Sequence, residues 1–296
     1  MGRLLSILLA LFSFSLTAVA QEPLPPKVYQ VEGEAITIYT KLNKSQLDQK
    51  KVIQNIKRVR KEFLKFMNSG DNEYALPESS KIDIYVIARD VDWKKFLESK
   101  GLDCIDRKGC YDEPTLTLVV REGVESIDNI PLMDGLIHEY VHHLVFITLK
   151  TPYLTIIKTF PYQNISYAWG IEGIAEYLSG KVLYKNGIPD GIINVLRKYK
   201  EGFGRQMTIW EILTTANDVV PNNPIRDYRH YWYASSLFQF LIEHGHQSNI
   251  LESLERLYAL NFGYSDSIVE IFSDNKFGSQ EQLEAEFQKY LLKLTH

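Results

Sequence analysis

The run His138-Glu139-Tyr140-Val141-His142, followed by Trp169-Gly170-Ile171-Glu172-Gly173-Ile174-Ala175-Glu176-Tyr177, constrains this chain more than any other feature. If the first run is helical, His138 and His142 leave one face four residues apart, and their imidazoles can reach a single ion. Glu139 lies about 100° further around the helix, beside that ion rather than on it. There its carboxylate can take a proton from water at the metal. The competing reading is an amphipathic core helix, since Leu136, Ile137, Val141, Leu144, Val145 and Thr148 fall at helical spacing. Two histidines and a glutamate are nevertheless poor core residues, because unpaired charge and unsatisfied polar groups are costly to bury.

Catalytic zinc takes three protein ligands and keeps a fourth position for water, so a carboxylate must come from elsewhere. Glu172 meets that need on a second helix, preceded by Asn164 to Trp169 and expected to close near Ser179-Gly180. Glu176, one turn on, is placed to accept from the outer nitrogen of a zinc-bound histidine and fix its tautomer. His143 points to a neighbouring face and is left out of the metal set, as a supporting or surface histidine. His230, His244, His246 and His296 lack a matching spacing and are expected near surfaces or helix ends.

The pairing of H-E-x-x-H with W-x-x-E-G-x-A-E-Y resembles the gluzincin metallopeptidases, and the run HEYVHHL is most similar to their collagenase-type form. The resemblance implies one zinc per chain held by His138, His142 and Glu172, with Glu139 as catalytic base and Glu176 behind the ligands. It implies a thermolysin-like α+β fold, with a small mixed-sheet N-terminal lobe, a mostly helical C-terminal lobe, and zinc in the cleft between them. It also implies a later helix bearing a tyrosine that stabilises the oxyanion. Counting back along Tyr231 to His244 favours Tyr231, with Tyr233 as runner-up, because residues two apart do not share a face. The G-x-M-E-N sequence by which aminopeptidase N-like members hold a substrate amino terminus is absent, which favours an endopeptidase acting on peptides or proteins. In such enzymes the strand before the zinc helix borders the cleft, which would make Thr115 to Val120 the peptide-binding edge.

The other segments fit an exported enzyme. Met1-Gly2-Arg3, an apolar run from Leu4 to Leu16, and Ala18-Val19-Ala20 read as a signal peptide over 1–20, cleaved after Ala20, giving a secreted or periplasmic protein. The apolar run is short for a membrane span, so no stable insertion is expected after cleavage. Cys104 and Cys110, the two cysteines of the chain, are expected to form a disulfide in that compartment. A net charge of −4 offers no basic surface for nucleic acid.

Alternating or apolar strands are expected over Ala35–Thr40, Lys81–Ala88 and Thr115–Val120, with a long helix over Ser45–Asn68 and a short one over Trp93–Ser99. After Leu132 the pattern is helical. Beyond the zinc helix and that of Glu172, helices are expected over Ile192–Tyr199, Thr208–Ala216, Tyr231–His244, Asn249–Ala259 and Gln280–Leu294. The chain therefore divides into a lobe over 21–131 and a helical lobe over 132–296, forming one catalytic unit. Two further readings remain: a catalytically silent binding module on the same fold, and a zinc hydrolase of a non-peptide amide.

Overall fold

The computed structural model describes residues 26–70, 73–88, 90–102, 104, 109–122, 131–149, 165–185, 187–188, 190–214, 229–252 and 278–296. The expected signal segment, residues 123–130 and 150–164, and most of the helix expected over 249–259 lie outside them.

Five strands form one mixed sheet. Strand β1 (Lys27–Val31) and β2 (Glu34–Thr40) are an antiparallel hairpin that turns on Glu32 and Gly33, both at positive φ. Two left-handed residues in a two-residue turn match the right-handed twist of the strands they join. Gly33 is also required sterically, since a Cβ there would sit 2.3 Å from the Glu78 carbonyl oxygen. Helix α1 (Gln49–Met67) begins at Asp48, whose carboxylate accepts from the Lys50 and Lys51 amides. It buries Val52, Ile56, Val59, Phe63 and Phe66, a stripe at three- and four-residue spacing. Strand β3 (Ser80–Ile87) then pairs parallel with β2. After α2 (Asp90–Lys100) come β4 (Gly109–Asp112) and β5 (Thr117–Arg121), and the sheet order is β1-β2-β3-β5-β4.

That order corrects one expectation. The strand expected to be the peptide-binding edge, Thr115 to Val120, is internal: β5 pairs parallel with β3 on one side and antiparallel with β4 on the other. The turn at 113–116, with Leu116 at φ 52°, folds β4 back along β5, so β4 is the edge. Both unanticipated strands, β1 and β4, are outer ones, where one neighbour and short length leave little periodicity to read.

The remaining described elements are helices: α3 (Leu132–Leu149), α4 (Ile165–Leu183), α5 (Asp190–Phe203), α6 (Ile209–Thr214), α7 (Arg229–Glu243) and α8 (Gln280–Thr295), with residues 247–252 also helical. Helix α4 runs past Ser179-Gly180, where its end was expected. Val182 beyond them is buried, and packing carries the helix on. One hydrophobic core runs from Ile36 and Ile38 of β2 through Phe63, Leu136, Leu144, Leu178 and Phe238 to Phe287 of α8. A second cluster, Trp93, Leu97 and Val119, encloses the Cys104–Cys110 disulfide, which ties the segment after α2 to the edge strand β4. Among the described residues no helix is long and apolar enough to cross a membrane.

Helices α4 and α7 approach closely at Gly173, where a Cβ would lie 2.4 Å from the Phe238 ring. Gly173→Ala should therefore overpack this crossing and destabilise the protein by roughly 1–3 kcal/mol. Urea denaturation measures it, and an unchanged midpoint would show that the two helices separate at little cost.

Candidate metal centre

Helix α3 is apolar around most of its circumference, with Leu136, Ile137, Val141, Leu144, Val145 and Ile147 all buried. Such a helix must sit inside the fold, and α3 lies between the sheet, α1 and α4. His138 and His142 leave it towards α4, each with 13% of its side chain exposed, and meet Glu172, which is 7% exposed.

Three atoms converge there. His138 Nε2 lies 3.1 Å from His142 Nε2 and 3.1 Å from Glu172 Oε2, and His142 Nε2 lies 3.4 Å from the same oxygen. Tetrahedral bonds of about 2.05 Å to one zinc ion would set ligand atoms about 3.3 Å apart, so this triangle has the size of one face of a zinc tetrahedron. The chemistry agrees, since two imidazoles and one carboxylate are a set that leaves a fourth position open. Nitrogen lone pairs 3.1 Å apart repel unless a proton or a cation lies between them. These three residues can therefore hold a metal ion.

The electrostatics of the group follow from its burial. Desolvation disfavours a charged His138, yet the Glu176 and Glu172 carboxylates outweigh it and hold that imidazole well above the usual histidine range. Desolvation likewise pushes the Glu172 carboxyl up, but the His142 and His138 imidazoles overcome it and hold it far below the ordinary value. Glu176 Oε1 is 3.0 Å from His138 Nδ1, an ionic contact off the line of a hydrogen bond. His142 Nδ1 is buried and has no hydrogen-bond partner among the described residues.

Glu139 faces the sheet edge. A Cβ on Gly109 of β4 would lie 3.0 Å from its Cγ and 3.1 Å from its Oε1, so the glycine lets the edge strand's backbone run close beside this carboxylate. Tyr231 lies in the first turn of α7, and its side chain is outside the described atoms. The runner-up Tyr233 points into the core, fully buried, and its hydroxyl donates to Gln206 Oε1. His143 is not at the surface either; it is completely buried on the sheet side of α3.

Two supports around the group had no signal in the sequence. The Tyr184 hydroxyl donates to Asp134 Oδ2, tying the end of α4 to the first turn of α3. Glu34, Arg60, Tyr111, Tyr140 and His143 form a buried polar cluster behind α3. Only a histidine directly after His142 and a tyrosine two after His138 could have drawn attention to it.

No protein-family model matches this chain, and no curated protein matches it in sequence.

Metal titration of the purified protein should find one ion per chain. That site should be lost in His138→Ala, His142→Ala and Glu172→Ala and kept in Glu139→Gln. Binding must displace the His138 proton, so apparent affinity should tighten as pH rises from 6 to 8. The metal-free protein has the opposite sign. The raised imidazole contributes stability that is fully present below the unfolded value of about 6.5 and is lost as pH rises through its folded value. Thermal melts across that range, with and without metal, distinguish the two trends.

Proposed function

We propose that this chain is an exported zinc metallopeptidase of the gluzincin type with a thermolysin-like catalytic fold, cleaving peptide bonds within peptides or proteins. The carrying observation is the His138, His142 and Glu172 triangle, with Glu139 next to His138 on the same helix and close to Gly109 of the edge strand. Export is supported by the signal-like N-terminal sequence and by the Cys104–Cys110 disulfide, a bond that persists in oxidising compartments.

His138, His142 and Glu172 would hold the zinc, which when bound would supply Lewis acidity to activate water and polarise a carbonyl. Glu139 accepts the proton of the attacking water at its carboxylate and delivers it to the leaving amine nitrogen. Tyr231 donates a hydrogen bond to the oxyanion that develops on the carbonyl. Glu176, behind His138, holds that imidazole in the orientation the ligand set needs. The outer edge of β4, which brings Gly109 against Glu139, aligns an extended substrate backbone by strand addition. The lack of a G-x-M-E-N amino-terminal clamp makes cleavage within a chain the preferred reaction.

The zinc-loaded protein should hydrolyse members of an unbiased peptide library. Glu139→Gln should lower kcat/KM by about 10² to 10⁴ while keeping its zinc, the range a positioned acid–base group supplies. Tyr231→Phe should lower kcat with less effect on KM. Zinc bound at one per chain with no hydrolysis of any peptide would overturn the peptidase reading in favour of a binding module or a non-peptide amidase.

A further inference from the structure

Behind the metal helix lies a group of charged and polar side chains that the proposed reaction does not use. Glu34, the first residue of β2, is fully buried, and four donors hold its carboxylate. Oε1 accepts from His143 Nε2 at 2.5 Å and from Ser80 Oγ at 3.1 Å. Oε2 accepts from Arg60 Nη1 at 2.8 Å and from the Tyr140 hydroxyl. Arg60, on α1, also donates to the Tyr140 hydroxyl at 3.2 Å and to the Glu32 carbonyl at 3.2 Å. His143 Nδ1 shares a hydrogen bond of 2.9 Å with the Tyr111 hydroxyl of β4. Burial would push the Glu34 carboxyl up, but His143, Tyr140 and Arg60 outweigh it and keep the group ionised.

We propose that Glu34 is a positioning residue for the metal centre, fixing the rotation of α3 about its own axis through Tyr140 and His143 and so aiming His138, Glu139 and His142. This rests on the metal-centre reading above. At 100° per residue, Tyr140 and His143 lie on average about 150° around α3 from His138 and His142, with Glu139 between the two faces. The helix is thus gripped on nearly the opposite side from the one that presents the ligands.

Apolar packing cannot do this alone. The buried aliphatic residues of α3 are spread around it, and dispersion contacts are not directional enough to select one rotation. A turn of about 10° moves a donor atom about 6 Å from the axis by about 1 Å, whereas metal–ligand distances tolerate about 0.2 Å. A carboxylate with four donors permits one arrangement only. Holding that many polar groups in the core is not the way to gain stability, since well-packed apolar residues of similar volume commonly do as well or better. Orientation is the property apolar replacements would not supply.

The test uses the full chain as Glu34→Gln, Tyr111→Phe and Val52→Ala, the last removing buried volume from α1 outside the cluster. Cobalt(II) is the probe, because its visible absorption reports ligand geometry as well as occupancy. Glu34→Gln turns one acceptor oxygen into a donor facing donors. It should keep its far-UV circular dichroism, weaken cobalt binding about tenfold and alter the cobalt spectrum. Tyr111→Phe, which removes only the outer support of His143, should weaken binding a few-fold and decides the matter if Glu34→Gln does not fold. Val52→Ala should lower the melting temperature and leave both affinity and spectrum as in the wild type. Wild-type affinity and spectrum in the two cluster variants, or an equal loss in Val52→Ala, would overturn the positioning role. Failure of the wild-type protein to bind cobalt or zinc would instead overturn the metal-centre reading itself.

Discussion

Two imidazole nitrogens and a carboxylate oxygen held within 3.1 to 3.4 Å of one another need protons or a cation among them. The surrounding structure is organised around keeping them there. Helices α3 and α4 must cross so that Glu172 faces the two histidines, and they are held near that crossing by the Tyr184–Asp134 hydrogen bond. Helix α4 in turn is pressed against α7 at Gly173, the residue after Glu172. The sheet contributes differently, by bringing the backbone of β4 to Glu139 and a buried carboxylate to the far side of α3.

The part of this site that could be read from the sequence was the part written in local spacing. Four residues along a helix bring His138 and His142 together whatever the fold does. Glu172 needed one further idea, the third ligand of an open zinc site, and the helix around it was visible from its pattern. Strands β2, β3 and β5 carried enough alternation or apolar length to be recognised, and α1 had a clear buried stripe.

What escaped was decided by tertiary pairing. Strand β4 has four residues, too few to show a period, and only its place beside β5 reveals that the edge has moved one strand outward. Glu34 follows a Glu32-Gly33 turn, where an acid ordinarily belongs to the solvent. Its burial becomes intelligible only when Arg60, Tyr140 and His143 are seen to arrive from elsewhere. For His143 the sequence left a supporting and a surface position open, and burial excludes the surface one: periodicity placed it off the metal face but could not show what that other face packs against. The burial of Tyr233 and the bond from its hydroxyl to Gln206 in the core likewise had no trace in local spacing.

The bonds from Glu34 to Tyr140 and His143 span 106 and 109 residues of chain. Contacts of that separation form late, since closing so long a loop has little to offset its entropy until the intervening elements have assembled. The histidine pair itself is local and can form as soon as α3 does. A chain that has formed α3 but not yet docked the first hairpin and α1 has His138 and His142 side by side without the buried carboxylate of Glu34 behind them. The buried contacts behind α3 are thus among the last to close, after the helix they orient has formed.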